Sequence, residues 1–191
     1  MHKARGALLT TIINFVIMLL TSTRVRIATS ADASLIADMS RRTFYDSFAK
    51  DNTKEDMDKF MNEQFTRELL IAEVGAPGNI FLVAEHNGTP AGYVRLRENN
   101  NPPELKGMET IEIARIYAET SMIGKGIGKA LMEKSIAVAK EQKKQLIWLG
   151  VWEKNFRAIE FYSGWGFKKF SEHPFVVGTD VQTDWLMKKE L

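Results

Sequence analysis

Three glycines at alternate positions, placed directly before a helix-forming segment, constrain this chain more than any other feature. They lie in residues 123–129, which read IGKGIGK. Alternate glycines let backbone N–H groups converge without Cβ obstruction, and the N-terminus of the next helix adds a partial positive charge. An alternating apolar run at residues 110–118 precedes the loop and predicts a strand. The order strand, glycine loop, helix therefore predicts a backbone cradle for a phosphate group.

Two common phosphate-binding motifs do not fit this loop. A nucleoside-triphosphate loop needs Ser or Thr after its Gly-Lys pair, whereas Ala130 follows Gly128 and Lys129. A dinucleotide-binding loop needs a third glycine, but that position is Leu131. It also needs an acidic residue about 20 positions later, where this chain has the apolar run 146–149. Neither class of nucleotide-binding protein is therefore predicted.

Two segments resemble the GNAT acyltransferases, which bind the pyrophosphate of acetyl-CoA on a [QR]-x-x-G-x-[GA] loop. Residues 123–128 match that loop except at Ile123, where the family has Gln or Arg. Residues 155–167 match a second family element, N-x-x-A-x-x-F-Y-x-x-x-G-F. The resemblance covers residues 24–191 and implies an acetyl-CoA-dependent N-acetyltransferase. It also implies the GNAT fold of the α/β class, a central mixed twisted sheet of about six or seven strands with helices on both faces.

The acceptor is the less constrained half of the reaction. Residues 148–155 and 182–184 resemble, more narrowly, the bacterial PaiA-type spermidine/spermine N-acetyltransferases. This implies a small-molecule primary amine, a polyamine such as spermidine or spermine, that attacks directly in a ternary complex. Residues 46–68 hold seven acidic and four basic side chains, which favours a cationic acceptor but equally fits a solvated helix surface. The alternatives are a protein N-terminal or lysine acetyltransferase and a non-catalytic acyl-CoA-binding regulator, and the intact Tyr162 argues against the regulator.

The family resemblance also implies roles for individual residues. Tyr162 is the expected general acid, because a phenol with a pKa of about 10 suits a departing thiolate with a pKa of about 8.5. A core aromatic is the competing interpretation. Glu112 is the expected general base, with a water chain or a structural glutamate as alternatives. The expected acetyl-CoA contacts are Ile116, Tyr117, Ala118, Ile123, Gly124, Lys125, Gly126, Ile127, Gly128, Lys129, Asn155, Ala158 and Tyr162. Asn155 is also expected to cap its helix.

Composition excludes several other classes of protein. The chain has no cysteine, so disulfides, thiolate metal sites and a cysteine acyl-enzyme are impossible. The three histidines share no metal-ligand spacing, and we expect no metal. Lys and Arg are scattered at a net charge of +2, so no nucleic-acid partner is expected. The sequence leaves open whether the enzyme forms a homodimer.

Residues 1–23 stand apart from the predicted acetyltransferase domain at 24–191. A basic start and a short apolar run resemble a secretory signal, yet the run is shorter than a membrane helix of about 20 residues. Three hypotheses compete: a start assigned too early, with the true start at Met18; a helical extension or weak membrane anchor; and a signal peptide. We predict a cytoplasmic protein rather than a membrane protein, because acetyl-CoA chemistry belongs in the cytosol.

Periodicity and capping signals predict the remaining elements. The predicted strands span residues 24–29, 80–85, 91–97, 110–118, 145–151, 167–171 and 182–188, and the predicted helices span 30–48, 53–65, 66–74, 126–141 and 155–165. Asn87 and Gly88 predict a tight hairpin turn.

Overall fold

The computed structural model describes residues 23–191, so the three hypotheses on the N-terminal segment lie outside the described residues. The strands are β1 (Thr23–Ile27), β2 (Asn79–His86), β3 (Thr89–Arg97), β4 (Thr110–Ala118), β5 (Leu146–Trp152), β6 (Lys168–Val177) and β7 (Asp180–Glu190). The α-helices are α1 (Ala33–Phe48), α2 (Lys54–Glu63), α3 (Arg67–Glu73), α4 (Ile127–Glu141) and α5 (Phe156–Gly164). None of the helices within 23–191 is long and apolar enough to cross a membrane.

All seven strands form one mixed sheet in the order β1-β2-β3-β4-β5-β7-β6. Only β4 and β5 pair in parallel, and the other neighbours are antiparallel. The β2–β3 turn has positive φ at both Asn87 (54°) and Gly88 (74°), as the sequence predicts. The predicted GNAT-type α/β fold is thereby confirmed.

The parallel strands β4 and β5 separate soon after they meet. They pair only from Thr110–Leu146 to Glu112–Trp148, although β4 continues to Ala118 and β5 to Trp152. Ala114 is an extra residue of β4 in its pairing with β3, and such a bulge bends and twists a strand. The result is an open gap between residues 113–118 and residues 149–152, called here the β4–β5 gap.

Helices cover both faces of the sheet, and each face has its own apolar core. On one face, α4 and α5 pack over the sheet through side chains such as Leu131, Met132 and Tyr162. On the other, α1, α2 and α3 contribute side chains such as Phe44 and Phe60. We call these the α4 face and the α1 face.

The sequence prediction is wrong about the length of β6. It ends the strand at residue 171, whereas β6 runs to Val177 and includes Pro174. The strand lies at the edge of the sheet and pairs only with β7. Proline has no N–H to donate, and an edge strand tolerates it because one side of the strand needs no partner.

Candidate active site

The glycine loop forms a cradle of free backbone donors. Gly124 and Gly126 have φ of 84° and 81°, a left-handed conformation that favours glycine. A Cβ built on either would have no heavy atom within 4 Å, so the space beside the loop is open. The N–H groups of residues 126–129 donate no hydrogen bond to any residue of 23–191. These groups include the first turn of α4, whose dipole favours an anion. The loop therefore has the free donors that a pyrophosphate needs, and its contacts with acetyl-CoA stay a prediction.

The side chains beside the cradle are exposed or come from α5. Ile123, Lys125 and Lys129 are exposed at its rim. A Cβ on Gly128 would lie 3.7 Å from the Phe161 ring, so α5 stands directly beside the cradle. Asn155 caps α5, because its side-chain oxygen accepts a hydrogen bond of 3.2 Å from the Ala158 N–H. The predicted capping role is confirmed, and the predicted contacts of both residues with acetyl-CoA stay predictions.

Residues 116–118 present an open backbone edge to the β4–β5 gap. On their other side they pair with β3, from Val94–Ile116 to Gly92–Ala118. Ile116 and Ala118 pack against the core of the α4 face, whereas Tyr117 packs on the α1 face. An extended ligand arm in the gap could pair with this edge as an added strand would.

Tyr162 lies on the α4 face, in contact with aromatic neighbours. Its ring centroid is 5.5 Å from that of Phe161 and 6.0 Å from that of Phe167. Its hydroxyl makes no hydrogen bond within residues 23–191. Burial raises the pKa of Tyr162 above its ordinary value, so the phenol stays protonated at neutral pH. A proton donor must be in this state, although packing alone also explains a buried ring.

Glu112 lies on the α1 face, where β4 and β5 begin to separate. Its carboxylate accepts hydrogen bonds from Arg97 Nε (2.7 Å), Arg97 Nη2 (3.1 Å) and Asn100 Nδ2 (2.9 Å). The side chain is 9% exposed. The sheet therefore separates Glu112 from Tyr162, and a base role would require access to a carboxylate that Arg97 already holds.

A second carboxylate on the α1 face, Asp184, was not among the residues expected from the sequence. It lies on β7 opposite Trp152 of β5 and His173 of β6. Its Oδ2 would be 3.4 Å from a Cβ built on Gly150. In the sequence, Gly150, Trp152 and Asp184 stand out only because their segments resemble those of PaiA-type enzymes. A lone Asp in an alternating strand does not show which face of the sheet is covered.

The α1–α2 connection and its flanking helices contact β5 and the β6–β7 hairpin on this side of the sheet. The Phe48 and Trp152 rings are 6.3 Å apart, and Gln182 Nε2 donates to Asn52 Oδ1 at 2.7 Å. At the hairpin tip, the Thr179 N–H donates to Asp56 Oδ1 at 2.7 Å. These contacts join the α1–α2 region to the strands that carry Trp152 and Asp184.

The acidic excess in residues 46–68 lies mainly on the surface. Five of its seven acidic side chains are exposed. Lys54 pairs with Asp58, and Thr120 donates to Asp46. A solvated helix surface therefore explains most of this excess. Within residues 23–191, no three His, Asp or Glu side chains are grouped as a metal site would need.

Comparison with known proteins identifies the family. The model of the acetyltransferase (GNAT) family matches residues 41–167, well over half of the chain. The chain belongs to the GNAT family. It is 42% identical to an uncharacterized N-acetyltransferase encoded in the pepI 3′ region of Lactobacillus delbrueckii subsp. lactis, over 80% of this chain and 88% of that protein. It is accordingly an acyltransferase of the N-acetyltransferase type.

Solved structures of the same fold hold the expected co-substrate. PaiA N-acetyltransferase from Thermoplasma acidophilum, in complex with coenzyme A, superposes with a TM-score of 0.71 at 21% identity, over 89% of this chain and 99% of that one. YncA of Salmonella typhimurium, with acetyl-CoA, gives 0.67 at 21% identity, over 88% and 94%. Family membership and the free donors of residues 126–129 together make acetyl-CoA the co-substrate of this GNAT enzyme.

Proposed function

We propose that this GNAT enzyme acetylates a polyamine such as spermidine or spermine by direct attack within a ternary complex. The observation that carries the proposal is the β4–β5 gap, because no pairing joins the two strands beyond Glu112 and Trp148. The phosphate cradle and Tyr162 lie on the α4 side, which leaves the α1 side for the acceptor. The polyamine class is supported by the PaiA-type segments at residues 148–155 and 182–184.

The roles of the individual residues follow from this arrangement. The cradle of residues 123–129 holds the pyrophosphate, and the open edge of residues 116–118 pairs with the pantetheine arm. A backbone N–H of that edge, near Ile116 or Tyr117, stabilises the negative charge that develops on the acetyl oxygen. Tyr162 protonates the departing thiolate. The sequence predicts that Glu112, or a chain of water molecules, removes the proton from the amine.

A coupled assay of CoA release tests the proposal. The chain has no cysteine, so a thiol reagent detects only the released CoA. The panel contains spermidine, spermine, free amino acids and peptides with a free N-terminus or a lysine. We expect spermidine to be preferred over amino acids with neutral side chains. Its KM should rise with salt, because the Debye length falls from about 10 Å at 0.1 M to about 3 Å at 1 M.

The assay separates the alternatives. If spermidine is inert while a peptide is acetylated, the polyamine assignment is wrong and the acetyltransferase assignment stands. If the protein binds acetyl-CoA but acetylates nothing in the panel, the proposed function is wrong.

A further inference from the structure

One carboxylate on the acceptor side of the gap is largely covered by protein and accepts no hydrogen bond from it. The Asp184 side chain is 15% exposed, and no group within residues 23–191 donates a hydrogen bond to it. Its nearest cation-forming neighbour is His173, whose Nε2 is 4.0 Å from Oδ2 and therefore beyond hydrogen-bond distance. Burial raises the pKa of Asp184 to about 6. Desolvation of a carboxylate costs free energy unless a donor or a cation compensates it, and no protein group within residues 23–191 does so here.

The residue beside this carboxylate is a glycine, which leaves the path to the gap open. A Cβ on Gly150 would lie 3.4 Å from Asp184 Oδ2 and 3.6 Å from His173 Nε2. Gly150 belongs to the part of β5 that has left β4, so it borders the β4–β5 gap. Across the gap, burial is the main cause of the raised pKa of Tyr117 on β4, and the negative charge of Asp184 makes a smaller contribution to it. Asp184 therefore faces the gap over a residue without a side chain.

We propose that Asp184 receives the ammonium group of the acceptor amine over Gly150 and accepts its proton before acetyl transfer. The inference rests on the proposed function, and it assigns the proton acceptor to a residue that the sequence did not indicate. Glu112 differs from Asp184 in that Arg97 and Asn100 already occupy its oxygens. A cationic acceptor supplies the charge partner that Asp184 lacks.

The protons balance as follows. The bound R–NH3+ gives one proton to the Asp184 carboxylate, and the neutral nitrogen forms a bond to the acetyl carbon of acetyl-CoA. The carbon–sulfur bond breaks, and the thiolate takes a proton from Tyr162. The nitrogen then loses its second proton to solvent, and the Tyr162 phenolate takes a proton back from solvent. The products are the N-acetyl amine and CoA, and the proton on Asp184 returns to solvent beside the half-exposed His173.

The first test is the Asp184→Asn variant with the best amine of the panel. In the parent, the ammonium form binds and loses its proton to the charged carboxylate, so kcat/KM should be level from pH 7 to 9 and fall below about pH 6. In the variant only the neutral amine can react. With an amine pKa near 10, about one molecule in a thousand is neutral at pH 7. The variant should therefore lose roughly 10²–10³-fold in kcat/KM at pH 7, and the loss should shrink about tenfold per pH unit.

Three controls make this test specific. Glu190→Gln removes an exposed acidic charge from the same strand and should behave as the parent does. The acetyl-CoA affinity of Asp184→Asn, measured by calorimetry, should stay within about twofold of the parent, because Asp184 lies on the face opposite the core that holds Tyr162. Glu112→Gln tests the competing base. If Glu112 accepts the proton, this variant and not Asp184→Asn should show the pH-dependent loss of kcat/KM.

The second test is Gly150→Ala, which fills the space over the carboxylate with a methyl group. The methyl would meet its neighbours at ordinary contact distances of 3.4–3.8 Å, so the variant should fold. We expect lower kcat/KM for the amine with unchanged acetyl-CoA affinity. Parent-like turnover of either Asp184→Asn or Gly150→Ala at pH 7 overturns the inference, as does a loss of acetyl-CoA binding in Asp184→Asn. If the parent acetylates no amine, the proposed function fails and the inference falls with it.

Discussion

An uncompensated carboxylate in the acceptor site should reduce the stability of the free enzyme, and Asp184→Asn measures that cost. Burial raises the pKa of Asp184 from its ordinary 3.8 to about 6. Because the folded pKa lies above the unfolded value, the folded chain holds the proton more tightly. The stability that this proton gives is complete below about pH 4 and is lost as the pH rises through about 6.

The magnitude follows from proton linkage. With these two pKa values, ionisation of Asp184 costs about 1.6 kcal/mol of unfolding free energy at pH 5 and about 3 kcal/mol at pH 8. The asparagine amide does not ionise, although its burial without a partner costs about 1–3 kcal/mol at every pH. We therefore compare the difference between variant and parent at the two pH values. That difference should shift by about 1.4 kcal/mol in favour of the variant from pH 5 to pH 8.

Urea unfolding of the ligand-free proteins at pH 5 and pH 8 checks this value. The slope m should be the same for both proteins, so that the shift is one of stability and not of the denatured state. Glu190→Gln is the matched control, because it removes an exposed acidic charge from the same strand. An equal stability difference at the two pH values would show that Asp184 is solvated or paired in solution, and the reasoning about its burial would be wrong.

Three further variants probe the other parts of the site. Gly126→Asp places a carboxylate in the phosphate cradle and should weaken acetyl-CoA binding at least tenfold by calorimetry. Gly107→Asp is the control, because Gly107 has the same φ of 81° in another open loop, and it should leave the affinity unchanged. Equal affinities of the two variants for acetyl-CoA would refute the cradle. Tyr162→Phe should keep acetyl-CoA binding and lower kcat roughly 10²-fold, and parent-like turnover would leave Tyr162 a packing role. Gly92→Ala places a Cβ 2.6 Å from the Tyr117 carbonyl oxygen and should cost about 1–3 kcal/mol in thermal unfolding; an unchanged Tm would contradict this.

Local signals in the sequence predict the elements that carry the cradle. The strand at 110–118 has the bounds that its alternating pattern predicts, because its apolar positions face a buried core. The Thr53 side chain accepts a hydrogen bond from the Asp56 N–H, as the capping signal predicts. These features depend on residues within a few positions of each other, so a single sequence contains the necessary information.

The acceptor side of the site depends on contacts that local patterns do not contain. The strand β7 inserts between β5 and β6, and this order places Asp184 beside Gly150. The α1–α2 connection meets the same strand through the hydrogen bond from Gln182 to Asn52, which joins residues 130 positions apart. The sequence shows an acidic residue in an alternating strand, and it does not show that this side chain is only 15% exposed.

The separation of β4 and β5 explains why the two proposed proton-transfer groups need not be close in the sequence or in space. Tyr162 belongs to the core of the α4 face, whereas Asp184 lies across the sheet beside Gly150. A closed sheet would keep these side chains apart, but beyond Glu112 and Trp148 no strand pairing fills the gap. In the proposed mechanism, a thioester bound in that gap would meet Tyr162 from one face of the sheet and the amine from the other. Asp184 and Tyr162 could then act on the same reacting carbon although the sheet separates them.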